Sequence, residues 1–179
     1  MSFTDRYKIS EAHDIASLDI TERLGITPGS YDNGLISILD KRLSEAVLKS
    51  WRWLLGQDAI ALAATATGDI FFWSQGQTSI YLLEAQLGQS TFVDKEADYF
   101  FNTFLVNSDI EEKVLKKPQF ELLNARLGNL TYGDCYIAEP WKMLGGSENI
   151  DSFSTGALDV YLSLTGQTIH QMMVKNSAA

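Results

Sequence analysis

The residues best suited to chemistry are few in this chain. It has one cysteine, Cys135, and two histidines, His13 and His170. A nucleophilic cysteine needs a nearby base to form the thiolate, and the two histidines lie near opposite ends of the chain. Cys135 stands beside Tyr136 and Ile137 in an apolar segment typical of a strand, where a free cysteine behaves as a small hydrophobic side chain. The pattern therefore predicts a buried structural thiol.

Other patterns that would indicate catalysis or cofactor binding are also missing from the sequence. It contains no Gly-x-Ser-x-Gly turn for a nucleophilic serine, and too few Cys and His residues for the usual zinc site. The stretch Gly145-Gly146-Ser147 has no following lysine and no dinucleotide-binding spacing. It is either a turn of two permissive residues or a loop whose backbone, flanked by Glu148 and Asp151, contacts a partner. We predict no catalytic residue, no cofactor and no metal.

Clustered carboxylates have a structural explanation. Glu111 and Glu112 stand at one predicted helix start, and Asp94, Glu96 and Asp98 stand at another. Negative charge near a helix N-terminus is stabilising, by about 0.3–1 kcal/mol per group. These clusters therefore do not indicate general acid–base catalysis.

Composition and charge restrict the class of protein. The chain has 179 residues, 45% of them hydrophobic, which suits one domain with a sizeable core. Its 23 acidic and 14 basic residues give a net charge of -9, which would repel nucleic acid and anionic lipid and attract a basic partner. A lone cysteine and a polar, charged N-terminus predict a cytoplasmic protein, and residues 59–67 form a weakly polar run too short to cross a bilayer.

The spacing of apolar residues predicts an α+β fold, with an antiparallel meander sheet packed against several helices in a single domain. Residues 59–66, 70–73, 79–84 and 90–93 read as four strands joined by short glycine-containing turns. Residues 70–73 are apolar without alternation, which predicts a strand covered on both faces. Helices are therefore expected over the sheet.

The spacing of apolar residues in other segments predicts those helices. Ser44 is expected to cap the first, which ends at Gly56, and Asp94 is expected to cap a second with an apolar stripe over residues 97–105. Ser108 and Glu111 have capping-box spacing, Pro118 suits the first turn of another helix, and residues 158–172 trace a closing helix. Residues 135–139 predict a further strand, and residues 150–153 suggest another.

Two stretches resemble a known family. One is GDIFFW at residues 68–73, followed by IYLLEAQLGQ at residues 80–89, and the other is LGNLTYGDCYIAEPWKMLGG at residues 127–146. They resemble the Tdi-type immunity proteins of type VI secretion DNase effectors, whose immunity domain is associated with GAD-like domains. The resemblance covers about residues 45–174. It implies an N-terminal extension at residues 1–43, a reduced or divergent GAD-like region, then an immunity domain at residues 44–174 and a frayed tail at residues 175–179.

The resemblance implies a function in interbacterial competition. Family members act as antitoxins: each is a toxin inhibitor that binds its cognate nuclease in the cytosol by direct protein–protein contact, without catalysis. An acidic inhibitor would be drawn to the basic, DNA-gripping surface of such a nuclease. Two alternatives stay open: a non-catalytic scaffold or regulatory module unrelated to toxins, and, more weakly, a small enzyme.

Binding usually concentrates in loops on a rigid scaffold, so we expect the partner to dock at residues 140–152. Trp141 would be its anchor, Glu148 and Asp151 would face a basic partner, and Gly145 and Gly146 would supply accessible backbone. Alternatively, Trp141 folds back over the sheet. A second expected contact is the hairpin tip beside Trp73, which carries Gln75 and Gln77.

Overall fold

A single antiparallel sheet of seven strands, arranged in the order of the chain, is the centre of the computed structural model, which describes residues 1–13 and 16–178. The strands are β1 (Ile9–Ala12), β2 (Gly29–Tyr31), β3 (Ile36–Ile38), β4 (Ala59–Thr65), β5 (Ile70–Ser74), β6 (Ser79–Glu84) and β7 (Gln89–Asp94). Strands β4 to β7 are the predicted meander. The α+β fold class, in a single domain, is confirmed.

The first three strands carry the sheet across the predicted boundary at residue 43. Strand β3 pairs with β4, with Ile36 opposite Thr65 and Ile38 opposite Ala63. Strands β1 to β3 are three or four residues long, too short for alternation to show, and the sequence did not predict them. The N-terminal residues therefore share one sheet with the rest of the chain, and their description as a reduced GAD-like region stays a prediction.

Helices cover the sheet, and a small second sheet lies beside it. The helices are α1 (Phe3–Arg6), α2 (Asp19–Arg23), α3 (Lys41–Leu48), α4 (Arg52–Leu55), α5 (Ala97–Tyr99), α6 (Ser108–Lys113), α7 (Lys117–Leu127) and α8 (Leu158–Ser177), and a π-helical turn, Phe100–Phe104, follows α5. Strands β8 (Asp134–Ala138) and β9 (Phe153–Ala157) pair antiparallel. The predicted tail thus begins inside α8, and Ala179 lies outside the described residues.

The capping residues of two helices differ from those predicted. Helix α3 begins earlier than expected: Asp40, not Ser44, is its cap and accepts a hydrogen bond from the Leu43 N–H at 2.7 Å. Helix α6 is capped by Asn107, which accepts from the Asp109 N–H at 2.8 Å. Both capping groups lie one or more residues upstream of a serine, and their side-chain oxygens reach the first-turn amides directly.

Two further predictions are corrected near the sheets. Residues 150–153 were expected to be a strand, but Ile150–Ser152 form a 3₁₀ turn and the strand starts at Phe153. The cause is Asn149, whose side chain accepts from the Asp151 N–H and closes the turn. Glu96, not Asp94, is the cap residue of α5; the Asp94 carboxylate instead accepts from the Lys95 and Glu96 amides at the strand end.

The sheet is buried on both faces, as the apolar run at residues 70–73 predicted. Phe71 packs in one cluster with Phe100 and Phe101 of the π-helical turn, and Phe72 packs on the other face in a cluster that includes Trp51 and Leu162. The Trp51 indole N–H donates to the Leu162 carbonyl at 2.9 Å, so the buried ring also satisfies its polar group.

Gly166 explains how α8 approaches the first half of the chain. A Cβ at this position would lie 2.6 Å from the Ser50 carbonyl oxygen. The glycine therefore weakens the isolated helix but allows close contact between backbones. Helix α8 then holds β8, β9 and the intervening 140–152 loop against the sheet.

Candidate partner-binding surfaces

The predicted contact residues lie in two places at opposite ends of the central strands. The 140–152 loop lies near the β6–β7 turn, since Lys142 and Glu148 share a small cavity with Glu84 and Gln86. The β5–β6 hairpin tip, residues 75–78, lies at the other end, because Ser74 pairs with Ser79 there. The fold therefore keeps the two predicted regions apart.

The glycine pair in the 140–152 loop forms a tight turn. The Gly145 and Gly146 N–H groups donate to the Lys142 and Trp141 carbonyls at 3.0 Å each. Gly145 has a φ of 85°, a backbone conformation that glycine adopts readily. A Cβ on Gly146 would lie 1.6 Å from the Pro140 carbonyl oxygen. Of the two interpretations of this stretch, the turn describes its geometry.

Trp141 folds back onto the body of the protein. It is half-buried, packs against the cluster that contains Tyr161, and meets the Tyr161 ring edge-on with ring centres 6.3 Å apart. Of the two alternatives predicted for this residue, the structure has the one in which the indole covers the sheet layer. Its ring attaches the start of the loop to α8.

Glu148 is held by two lysines of its own chain. Its carboxylate accepts hydrogen bonds from Lys142 and from Lys116, the latter at 3.3 Å. The hydrogen bond from Lys142, followed by the charge of Lys116, lowers the pKa of Glu148. Burial is the largest single influence on Lys142 and lowers its pKa, but the hydrogen bond and the charge of Glu148, together with smaller contributions from Lys116 and Asp69, raise the pKa overall. The Glu148 charge, expected to face a partner, is thus already neutralised within the chain.

A small polar cavity lies beneath this ion pair. It measures about 30 Å³, room for about one or two water molecules, and it is lined by Asp69, Gln86, Lys116 and Lys142 among others. Burial raises the pKa of Asp69 to about 6 against the opposing charge of Lys116, while its carboxylate accepts from the Ala85 N–H at 3.1 Å. This arrangement links the β4–β5 turn to the loop through charged groups.

Asp151 is the more exposed of the two predicted acidic contacts in the loop. Its side chain is 86% exposed and lies 3.7 Å from the Arg126 Nε. Arg126 also donates to the backbone carbonyls of Ile150, Asp151 and Phe153 at 2.9–3.1 Å. Sequence analysis did not predict this role for Arg126, because its partners lie more than twenty residues away along the chain. The Asp151 carboxylate therefore stands in solvent on a backbone fixed by Arg126.

The β5–β6 hairpin tip combines exposed side chains with a fixed backbone. Gln75 and Gln77 are exposed, whereas Trp73 is half-buried against the core. The Gly76 N–H donates to Asp58 at 2.7 Å, and the Tyr81 hydroxyl is hydrogen-bonded to Gln77. All four residues of the tip, 75–78, are exposed, so of the contacts predicted here the two glutamines are open to a partner and Trp73 is largely covered.

A third surface, which sequence analysis did not predict, lies at the same end of the sheet as the hairpin tip. It is an open groove of about 410 Å³ between the end of β7 and α5, lined by Phe92, Asp94, Lys95, Glu96 and Tyr99. Its two aromatic rings are half-exposed. We call it the Phe92 groove. From the sequence, Phe92 was placed in the strand at residues 90–93, and the acidic residues that follow it were interpreted as a helix start.

The remaining candidates for chemistry are the Cys135 thiol and groups of metal-binding side chains. Cys135 is buried, as predicted, and burial raises the pKa of its thiol, which keeps it protonated and unreactive. Among residues 1–13 and 16–178, no three His, Cys, Asp or Glu side chains are grouped so that they could hold a metal ion. In the same residues, no helix is both long and apolar enough to span a membrane.

Comparison with known proteins matches one segment of the chain to a family. Residues 94–169 match the family described as T6SS immunity protein Tdi1, C-terminal. The matched segment covers less than half of the 179 residues, and it is similar to a type VI secretion immunity protein family. No curated protein matches the chain.

The fold has a counterpart among solved structures. The chain resembles the crystal structure of Atu4351 from Agrobacterium tumefaciens, with a TM-score of 0.62 and 15% sequence identity over 92% of this chain and 86% of that chain. At this identity the likeness concerns the fold alone. It extends well beyond the segment matched by the immunity family, because it covers 92% of this chain.

The immunity-family segment contains some of these surfaces and leaves out others. It runs from the last residue of β7 into α8, so it includes the whole 140–152 loop and the Asp94–Tyr99 side of the Phe92 groove. The hairpin tip at residues 75–78 and the GDIFFW motif at residues 68–73 lie before it. The second motif, at residues 127–146, lies inside it.

Proposed function

We propose that this immunity-family protein binds and neutralises a cognate nuclease toxin, a DNase effector of type VI secretion, in the cytoplasm of the cell that makes both. The observation that carries the proposal is the family match over residues 94–169. The protein acts by direct contact and not as an enzyme. In interbacterial competition it protects its own cell and its kin.

Charge supports this partner. The chain carries a net charge of -9, whereas a surface that grips DNA phosphates is basic. Opposite charges raise the rate of encounter and help to orient the two proteins. The same charge disfavours direct contact of this chain with nucleic acid or with an anionic membrane. The toxin surface that is drawn to the inhibitor is then the one that would otherwise hold DNA.

The exposed members of the two predicted regions contribute contacts to the toxin in this proposal. Asp151 and Gly145 offer a carboxylate and a backbone turn on the loop, and Gln75 and Gln77 offer amide groups on the hairpin tip. The other predicted contact residues keep these exposed groups in place. Trp141, Gly146 and Glu148 fix the shape of the loop, and Trp73 anchors the hairpin tip. Residues 1–43, as a reduced GAD-like region, complete the sheet on which both are carried.

Co-expression tests the proposal most simply. The toxin gene beside this gene is induced in a host with and without the immunity gene, and an inactivated toxin is used to recover the complex. We expect restored growth and a co-purifying pair. Failure of both would contradict the proposal and favour a regulatory module that binds another protein.

A pair of charge reversals refines the test. Asp151→Lys should slow association with the toxin and weaken protection. Asp109→Lys makes the same change of charge on exposed α6, and it should leave both unaltered. Equal affinity for the two variants would remove Asp151 from the interface.

A further inference from the structure

Strand β7 ends the sheet with a free edge. It pairs with β6 over Gln89–Asp94, and no other strand in the described part of the chain pairs with it. Residues 89–92 are all exposed. Alternate N–H and C=O groups of an edge strand point away from its neighbour and can accept another strand.

Most of this edge lacks the features with which proteins usually block strand addition, and those it has lie at its end: Val93 is bulged, since Tyr81 pairs with Phe92 and Ile80 with Asp94, and Asp94 is charged. Residues 89–93 contain no charged residue and no proline, both of which commonly protect edges. The opposite edge differs. Strand β1 is only four residues long, is interrupted by a bulge after Ile9, and carries Glu11, whose carboxylate accepts the Tyr132 N–H at 2.8 Å. Of the two edges, β7 is the one open to a partner.

The Phe92 groove at the end of β7 indicates the chemistry of that partner. Phe92 is 52% exposed and Tyr99 49% exposed, so both rings can cover the stem of a long side chain. Residues 94–98 hold three carboxylates against one ammonium, that of Lys95. None of the three carboxylates forms a salt bridge within the described residues. Aromatic faces beside carboxylates favour an arginine or lysine side chain.

We propose that the β7 edge accepts an extended, basic segment of the toxin as an eighth strand, with an arginine or lysine side chain of that segment in the Phe92 groove. The inference rests on the proposed function and adds to it the binding mode and the partner's chemistry. Main-chain hydrogen bonds to β7 supply affinity, and the groove selects a basic side chain at one register position. The adjacent hairpin tip, joined to Phe92 through Tyr81, extends the same surface: the Tyr81 hydroxyl bonds Gln77 and its ring meets Phe92 edge-on.

Affinity measurements on two variants test the groove. The partner is the purified, catalytically inactivated toxin encoded beside this gene, titrated by calorimetry. Phe92→Ala and Glu96→Lys should each raise the Kd at least about tenfold, as expected for an anchor residue. Their controls, Leu122→Ala and Glu112→Lys, change an exposed large apolar residue on α7 and an exposed glutamate on α6, and both should keep the wild-type Kd.

Hydrogen exchange tests the added strand. In the complex, the outward-pointing amides among residues 90–93 should exchange at least about tenfold more slowly, because they become hydrogen-bonded to the added strand, while amides of β1 should keep their rates. Unchanged Kd values for both groove variants, or unprotected β7 amides in a saturated complex, would overturn this inference and leave the immunity function standing. If the wild-type protein did not bind the toxin at all, the proposed function would fail, and this inference with it.

Discussion

The 140–152 loop and the β7 edge are both at the surface, but they differ in how many of their groups already have partners within the chain. In the loop, Glu148 is bound by Lys142 and Lys116, and Trp141 packs against the body of the protein. On the β7 edge, the outward backbone groups have no strand to pair with, and Phe92 stands half in solvent. The irregular segment is largely self-contained, whereas the regular strand is open.

The difference shows that irregular structure and availability are separate properties. A long loop over a domain must satisfy its own polar groups, and it can do so with long-range partners. An edge strand satisfies half of its groups within the sheet and leaves the other half for solvent or a partner. A search for binding surfaces therefore benefits from following unpaired groups as well as loops.

The largest effect is expected at Trp141. Trp141→Ala removes the half-buried ring that packs near Tyr161 and should lower the free energy of unfolding by about 2–3 kcal/mol, below the range for fully buried tryptophans. Urea melts measure it. Leu144→Ala, an exposed position in the same loop, is the control and should change stability by less than about 0.5 kcal/mol. An unchanged melt with weakened toxin binding would make Trp141 an interface anchor. The loop would then be as available to a partner as the β7 edge.

The stability of the protein should depend on pH through Asp69. Its pKa is about 6 in the folded protein against an ordinary 3.8, so the folded state holds more protons between these values. Its contribution to stability is therefore full below about pH 4 and is lost as the pH rises to about 6. Asp69→Asn should become more stable relative to wild type by about 1–2 kcal/mol between pH 4 and 7, after allowance for solvent screening. Parallel stability profiles for the two proteins would show that the cavity is open to solvent and not part of a closed network.

A smaller effect is expected for Glu148. Glu148→Lys brings a third ammonium beside Lys116 and Lys142. It should lower the free energy of unfolding by up to about 1 kcal/mol, because the ion pairs of Glu148 are partly exposed. Asp151→Lys should cost less than about 0.5 kcal/mol, because its carboxylate stands in solvent. Thermal melts at low and high salt compare them. Equal melts for both would mean that the Glu148 ion pair adds nothing to the loop.

The smallest effect on stability is expected at the β7 edge. Phe92→Ala and Glu96→Lys should each change the free energy of unfolding by less than about 0.5 kcal/mol, because both side chains are exposed. Chemical melts of both variants check this. A loss above about 1 kcal/mol would show that Phe92 supports Tyr81 and the sheet, and that this edge is less free than the loop.

Periodic segments of the sequence were predicted well, and short ones were not. The meander β4 to β7 and helices α7 and α8 follow from apolar spacing and glycine turns within each segment. Strands β1 to β3 are too short to show a period, and their pairing with β4 is a tertiary contact. Caps were misassigned at α3, α5 and α6, where a different polar residue within a few positions occupies the cap.

The candidate surfaces were harder to predict because their state depends on distant residues. The partners of Glu148 and Asp151 include Lys116 and Arg126, which lie 32 and 25 residues earlier in the chain. Sequence placed the acidic residues at the surface but could not show which were already paired. The free edge of β7 likewise follows from the sheet order, which becomes visible only in the fold.

The most direct test of the central claim is DNA cleavage by the purified toxin encoded beside this gene, measured as this protein is titrated into the reaction. The account predicts that cleavage falls linearly and stops once the inhibitor saturates the toxin, with the reaction restored by an excess of inactivated toxin. Full cleavage in the presence of a large excess of folded protein would contradict it.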